Sequence, residues 1–131
     1  MYNHIMKMKS VSGITCYVEN LAETIKFYED LGFEFKVKDA TYATAYLNWF
    51  WIMFIESSSE QKEGFLKDAK SEHKGEGMYL YISVEDVDEF YKGVLDKGMK
   101  PSSEPKDWPW GNREFALKDP SGYKLIFFKR K

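Results

Sequence analysis

Polar and apolar positions along this chain fall into a pattern that occurs twice. When "YVENLAETIKFYEDLGF" is set against "SVEDVDEFYKGVLDKGM" without gaps, Val18 meets Val84, Glu19 meets Glu85 and Asn20 meets Asp86. Further on, Glu23 meets Glu89, Lys26 meets Lys92, Asp30 meets Asp96 and Gly32 meets Gly98. Self-similarity at a fixed offset marks one supersecondary unit used twice. The stretches before these segments alternate. Ile14, Cys16 and Val18 share one face against Gly13, Thr15 and Tyr17, and Leu80, Ile82 and Val84 oppose Tyr79, Tyr81 and Ser83. Period two predicts strands with an aliphatic face toward helices and a polar-aromatic face on the other side.

The aligned segments themselves predict helices. Asn20 and Asp86 suit the N-cap, and Glu23 and Glu89 stand three residues on, as in a capping box. Leu21, Ile25, Tyr28 and Leu31 make one apolar stripe, and Val87, Phe90, Tyr91, Val94 and Leu95 make the other. Gly32 and Gly98 mark the helix ends. Three further strands are expected after each helix: "FEFKV", "TYATAYLNW" and "FWIMFIE" first, then "KPSSE", "REFALK" and "YKLIFF". "DPSG" before the last is a turn signal. The reading is therefore α+β, with two βαβββ modules in tandem forming a curved mixed sheet with a cleft. Module one spans about 11–57 and module two about 77–129. The polar linker, about 58–76, has one short helical stretch near Phe65 to Ala69, and the whole makes a single domain over 1–131.

Composition narrows the function. At 131 residues and net charge −2, with no basic stripe, nothing argues for nucleic acid. The single cysteine, Cys16, fits a reducing cytoplasm and sits on the aliphatic face as a core residue. "MYNHIMKMKS" lacks the apolar run of a signal peptide, and no window is long enough to span a membrane. Aromatic residues reach 18%, more rings than a core of this size needs, so some are available to a ligand or a partner.

"WPWGNREFALKDPSGYKLIFF", together with the two helix openings "VENLAETIKFYEDLGFE" and "VEDVDEFYKGVLDKGMKP", resembles the vicinal oxygen chelate superfamily. That family includes glyoxalase I, bleomycin-resistance proteins and extradiol dioxygenases. The resemblance runs from about Val11 to Phe128 and is greatest to the bleomycin-resistance-like branch. It implies a duplicated βαβββ fold, commonly a homodimer, with clefts that draw on both chains. In the family's enzymes a divalent metal is held by side chains early in each first strand and on the last strand. Those positions here carry Gly13, Tyr79 and Ile126, with Met53 nearest the remaining one. None is a good ligand for a hard divalent ion, so no metal and no other cofactor is expected. His4 and His73 lie in the tail and the linker.

Strand parity collects Tyr17, Tyr46, Trp51, Tyr79, Tyr81, Glu114 and Phe128 on the prospective cavity face, with Trp108 and Trp110 at its rim. Trp51 suits burial equally well. Arg113, of opposite parity to Glu114, is expected at the strand edge in a structural ion pair. Phenol and indole rings with one carboxylate suit a flat, partly cationic small molecule. The expected function is metal-independent binding or sequestration of such a ligand, as the bleomycin-resistance resemblance implies. The alternative is a glyoxalase-like lyase or isomerase, or a dioxygenase-related enzyme, with a non-standard site. No nucleophile–base pair assembles, and Glu114 is the single candidate for a lone general base. The partners expected are a small molecule and a second copy of the chain, with neither nucleic acid nor membrane.

Overall fold

A computed structural model describes residues 4–131; residues 1–3, the start of the opening stretch discussed above, lie outside the described residues. The first module runs β1 (Gly13–Val18), α1 (Leu21–Leu31), β2 (Glu34–Lys38), β3 (Tyr42–Leu47) and β4 (Phe50–Glu56). A linker with the one-turn helix α2 (Leu66–Ala69) leads to the second module. There follow β5 (Tyr79–Ser83), α3 (Val87–Asp96), β6 (Lys106–Asp107), β7 (Asn112–Lys118) and β8 (Lys124–Arg130). Each module makes its own four-stranded mixed sheet, ordered β1-β4-β3-β2 and β5-β8-β7-β6. The β1–β4 and β5–β8 pairs are parallel and the other pairs antiparallel.

The caps fall where the pattern places them. Asn20 Oδ1 accepts the Glu23 amide at 3.0 Å, and Asp86 Oδ1 accepts the Glu89 amide at 3.1 Å. One expectation is corrected. "KPSSE" is not a strand, and the short edge strand β6 follows it at Lys106–Asp107. Pro101 lies within the stretch and Pro105 follows it, and proline cannot donate to a ladder. Ser102 and Ser103 bond Ala116 at the edge of β7 instead, through the Ser102 amide and the Ser103 hydroxyl.

The helix-side faces of both sheets and both long helices share one buried cluster. Its largest members are Tyr28, Phe54, Phe115 and Phe127. Tyr28 lies 4.6 Å from Phe54, and Phe127 lies 4.6 Å from Phe90, ring centre to ring centre. Polar bonds also cross between the modules. The Tyr28 hydroxyl donates to Asp119 Oδ2 at 2.7 Å, and both residues are buried. The Tyr123 hydroxyl donates to the Tyr17 carbonyl at 2.8 Å, and the Glu19 amide donates to Ser121 Oγ at 3.1 Å. Back-to-back packing through the helical sides leaves the other face of each sheet turned outward.

Candidate functional site

The second module's outward face gathers most of the expected residues. The turn that carries both tryptophans closes the β6–β7 hairpin. Trp108 N–H bonds the Asn112 carbonyl at 2.8 Å, and Gly111 N–H bonds the Trp108 carbonyl at 3.1 Å. Gly111 has φ 95°, the left-handed backbone that such a turn needs and that a side chain would strain. This geometry brings Trp108 and Trp110 to the same side. Their rings stack on each other at 4.7 Å and 11°. Lys106 Nζ covers the Trp108 ring at 4.2 Å, so a single indole face, that of Trp110, is left for anything flat. Trp110 is 58% exposed.

Glu114 lies at the N–H edge of the Trp110 ring, only 6% exposed. Its Oε2 accepts from Trp110 Nε1 at 3.4 Å and from Asn112 Nδ2 at 3.3 Å, and its Oε1 accepts from the Tyr81 hydroxyl at 3.4 Å. Among the described residues no ion pair reaches it. Lys106 is its register partner across β6–β7, but carries its charge to Trp108 instead. Burial, followed by the Glu114 carboxylate, raises the Tyr81 phenol above its ordinary value. Phe128 meets Tyr81 edge-on at 5.5 Å, and Tyr79 stands 61% exposed with Lys124 Nζ over its ring at 5.6 Å. Sequence parity did not signal Asn112, a third donor to the carboxylate. Its side chain shares the face of Glu114, and an asparagine two residues earlier on the strand was the available clue.

The first module's face is built differently. Trp51 lies over Gly13, its register partner, so closely that a Cβ on Gly13 would come 2.2 Å from the indole Cδ2. Tyr46 carries Lys36 Nζ over its ring at 4.7 Å. The linker reaches Tyr17, whose hydroxyl donates to Glu60 Oε2 at 2.7 Å. Burial, followed by that carboxylate, pushes the Tyr17 phenol up to about 12. Tyr17, Tyr46 and Trp51 thus sit on one sheet, and Tyr79, Tyr81, Trp108, Trp110, Glu114 and Phe128 on the other. Among the described residues no hydrogen bond or ring contact joins the two sets. Arg113 points to the opposite side and grips Asp88 through two bonds, of 2.9 and 2.8 Å, and Asp107 through one of 3.0 Å.

A profile described as "Glyoxalase/Bleomycin resistance protein/Dioxygenase superfamily" matches residues 3–127. The chain belongs to this superfamily. Its fold is similar to a glyoxalase/bleomycin resistance protein/dioxygenase from Nocardioides, with TM-score 0.76 and 15% identity over 96% of this chain and 86% of that one. It is also similar to a bleomycin resistance determinant encoded on transposon Tn5, with TM-score 0.66 and 20% identity over 94% and 99% of the two chains. A bleomycin-binding protein complexed with bleomycin gives TM-score 0.63 and 18% identity over 94% and 100%. At these identities the likeness shows the fold. No curated protein sequence matches the chain.

Membership raises the question of the superfamily's metal. The strand registers relate the two last-strand positions at which the resemblance leads one to expect its ligands. Thr15 pairs with Met53 and Tyr81 with Ile126; since Thr15 and Tyr81 are equivalent in the repeat, so are Met53 and Ile126. The set is therefore Gly13, Met53, Tyr79 and Ile126. It offers a thioether and a neutral phenol, and Trp51 fills the space over Gly13. Such donors do not fit a hard divalent ion. Among the described residues no three His, Cys, Asp or Glu side chains are gathered as a metal site elsewhere. No helix is long and apolar enough to cross a membrane.

Proposed function

We propose that this protein binds a flat, positively charged small molecule without a metal, as a cytoplasmic homodimer. The observation that carries the reading is the buried Glu114 carboxylate, which among the described residues is met by three neutral donors and no cation. Withdrawing a carboxylate from water costs several kcal/mol unless charge or strong hydrogen bonds offset it. Three bonds of 3.3–3.4 Å are long for a charged acceptor, so they offset the cost only in part. A ligand cation supplies the missing charge. Trp110 supplies a stacking face beside it, with its N–H edge already fixed to the same carboxylate.

The second copy enters because one wall does not make a pocket. Tyr79, Tyr81 and Trp110 stand exposed on an outward face, and binding sites bury most of a small ligand's surface. A second chain supplies the opposite wall. The similarity to a bleomycin-binding protein supports this class of ligand, and the ligand positions that lack donors support metal independence.

Fluorescence titration with bleomycin and with an N-methylacridinium salt tests the reading. Both should quench indole emission at one ligand per site. Glu114→Gln should weaken the acridinium roughly tenfold or more while leaving uncharged acridone within about threefold, since a charge-assisted contact contributes about 1.5–3 kcal/mol. Equal loss for the charged and the neutral ring would remove Glu114 from its role. No quenching by either cation would remove the function.

A further inference from the structure

A separate cavity of about 290 Å³ lies at the seam between the modules, lined by β1, β5, β8 and the end of the linker. Buried Cys16, Tyr28, Ile52 and Leu125 form its floor, and Thr15 and Lys124 stand toward its mouth. None of the residues that hold Glu114 or stack on Trp110 lines it. At the packing density of protein interiors, ~0.74, it has room for roughly ten non-hydrogen atoms.

Two features of this cavity call for an anion. The first is Lys124, its one charged lining residue. Among the described residues it makes no ion pair, and its recorded contact is the distant one with the Tyr79 ring. The second is the backbone of β1. Ser12 turns its carbonyl toward β4, where it accepts from Trp51 at 3.1 Å, whereas Tyr17 turns its carbonyl away, to Tyr123. The Glu19 amide also faces away, to Ser121. Successive residues of a strand alternate in this respect, so Thr15 N–H and Tyr17 N–H point outward along the same edge. Among the described residues no acceptor reaches either amide. Of these two residues only Thr15 lines the cavity, and its carbonyl shares the edge with its N–H, so the group that selects an anion over this apolar floor is the Lys124 ammonium, with the Thr15 amide as a second donor.

We propose that this seam cavity binds a small monocarboxylate with a compact apolar body, its carboxylate held by Lys124 and the Thr15 N–H. The apolar body rests on Ile52, Leu80 and Leu125. The site is independent of the planar-cation reading, and neither depends on the other.

Calorimetry with sodium octanoate, which has about the size the cavity admits, provides the test, with 1-octanol as the uncharged control. Octanoate should bind once per chain and at least tenfold more tightly than octanol. Lys124→Gln should reduce octanoate to the level of octanol while keeping the Trp110 response to acridinium, which also shows that the variant is folded. Saturating octanoate should slow alkylation of Cys16 by N-ethylmaleimide severalfold, because that thiol is part of the floor. Equal affinity for octanoate and octanol would overturn the proposal. So would octanoate binding that survives Lys124→Gln, or binding that leaves the Cys16 rate unchanged.

Discussion

The buried bond between Tyr28 and Asp119 ties α1 of the first module to the turn before β8 in the second, and Tyr28→Phe isolates it. The substitution keeps the ring against Phe33 and Phe54 and removes one hydroxyl. Asp119 Oδ1 keeps its bonds from the Ser121 and Tyr123 amides, both at 2.9 Å, but Oδ2 loses its 2.7 Å donor. Burial raises Asp119 above the ordinary carboxylate value even with these bonds in place. A raised acid favours the folded state while it is protonated. Its contribution is complete below about pH 4 and is lost as pH rises through the folded value. Removing the phenol withdraws a donor that favours the ionised form, which raises Asp119 further and enlarges that loss. The expected cost of Tyr28→Phe is therefore about 1 kcal/mol in acid, where a neutral bond is lost, and about 2–3 kcal/mol at pH 7, where the acceptor is charged. For a chain of this length the pH 7 value corresponds to a fall in Tm of roughly 7–10 °C. Chemical denaturation of both proteins at pH 4 and pH 7, at one protein concentration, measures the difference. In an Asp119→Asn background the cost should return to about 1 kcal/mol at both pH values. A cost that ignores pH, or that ignores Asp119→Asn, would refute the account of this bond.

Other expectations follow from single contacts. Gly13→Ala drives a methyl into the Trp51 indole and should destabilise by about 1–3 kcal/mol in urea, with a shift in the near-UV signal of Trp51. Phe127→Ala empties the centre of the second module's core and should cost about 3–5 kcal/mol. Arg113→Met breaks an exposed network with Asp88 and Asp107, so the unfolding midpoint should move little and any shift should shrink in salt. Trp110→Ala should abolish the fluorescence response to acridinium. Trp108→Ala removes only the backing ring, so it should weaken the ligand while a response remains.

Much of this could be read from sequence because the repeat acts as an internal alignment. Two copies with one offset fix the strand parity, and parity then places Tyr79, Tyr81, Glu114 and Phe128 on one face. The caps were legible for a similar reason: Asn20 and Asp86 act within three residues of their partners. What escaped was decided across longer distances or by competition. "KPSSE" has the length of a strand, yet its proline, the proline that follows it and two serines bonding to Ala116 keep it a loop. The "DPSG" turn is a local signal, but nothing local says that Asp119 also braces Tyr28, 91 positions away. The stacking of Trp108 on Trp110 depends on the left-handed Gly111 and on Lys106 occupying the far ring, and spacing alone reports neither.

The registers show how far the two copies have parted on the same backbone. Tyr42 pairs with Ile55 and Glu114 with Phe128, and these pairs occupy equivalent places in the two sheets. One module thus holds a phenol where the other holds a buried carboxylate. At the neighbouring equivalent pair, Thr15 faces Met53 and Tyr81 faces Ile126. The phenol at the second of these positions is what reaches Glu114. Placing a threonine at that position in the second module would strip the carboxylate of one of its three donors, while a tyrosine in the first module would find no acid to meet. The charge and its donor therefore belong together on one sheet. The first face, with Trp51 pressed flat on Gly13, has instead given its space to a ring. Both copies have the strands that the shared core requires. Their outward faces differ, and residues there take little part in the buried cluster.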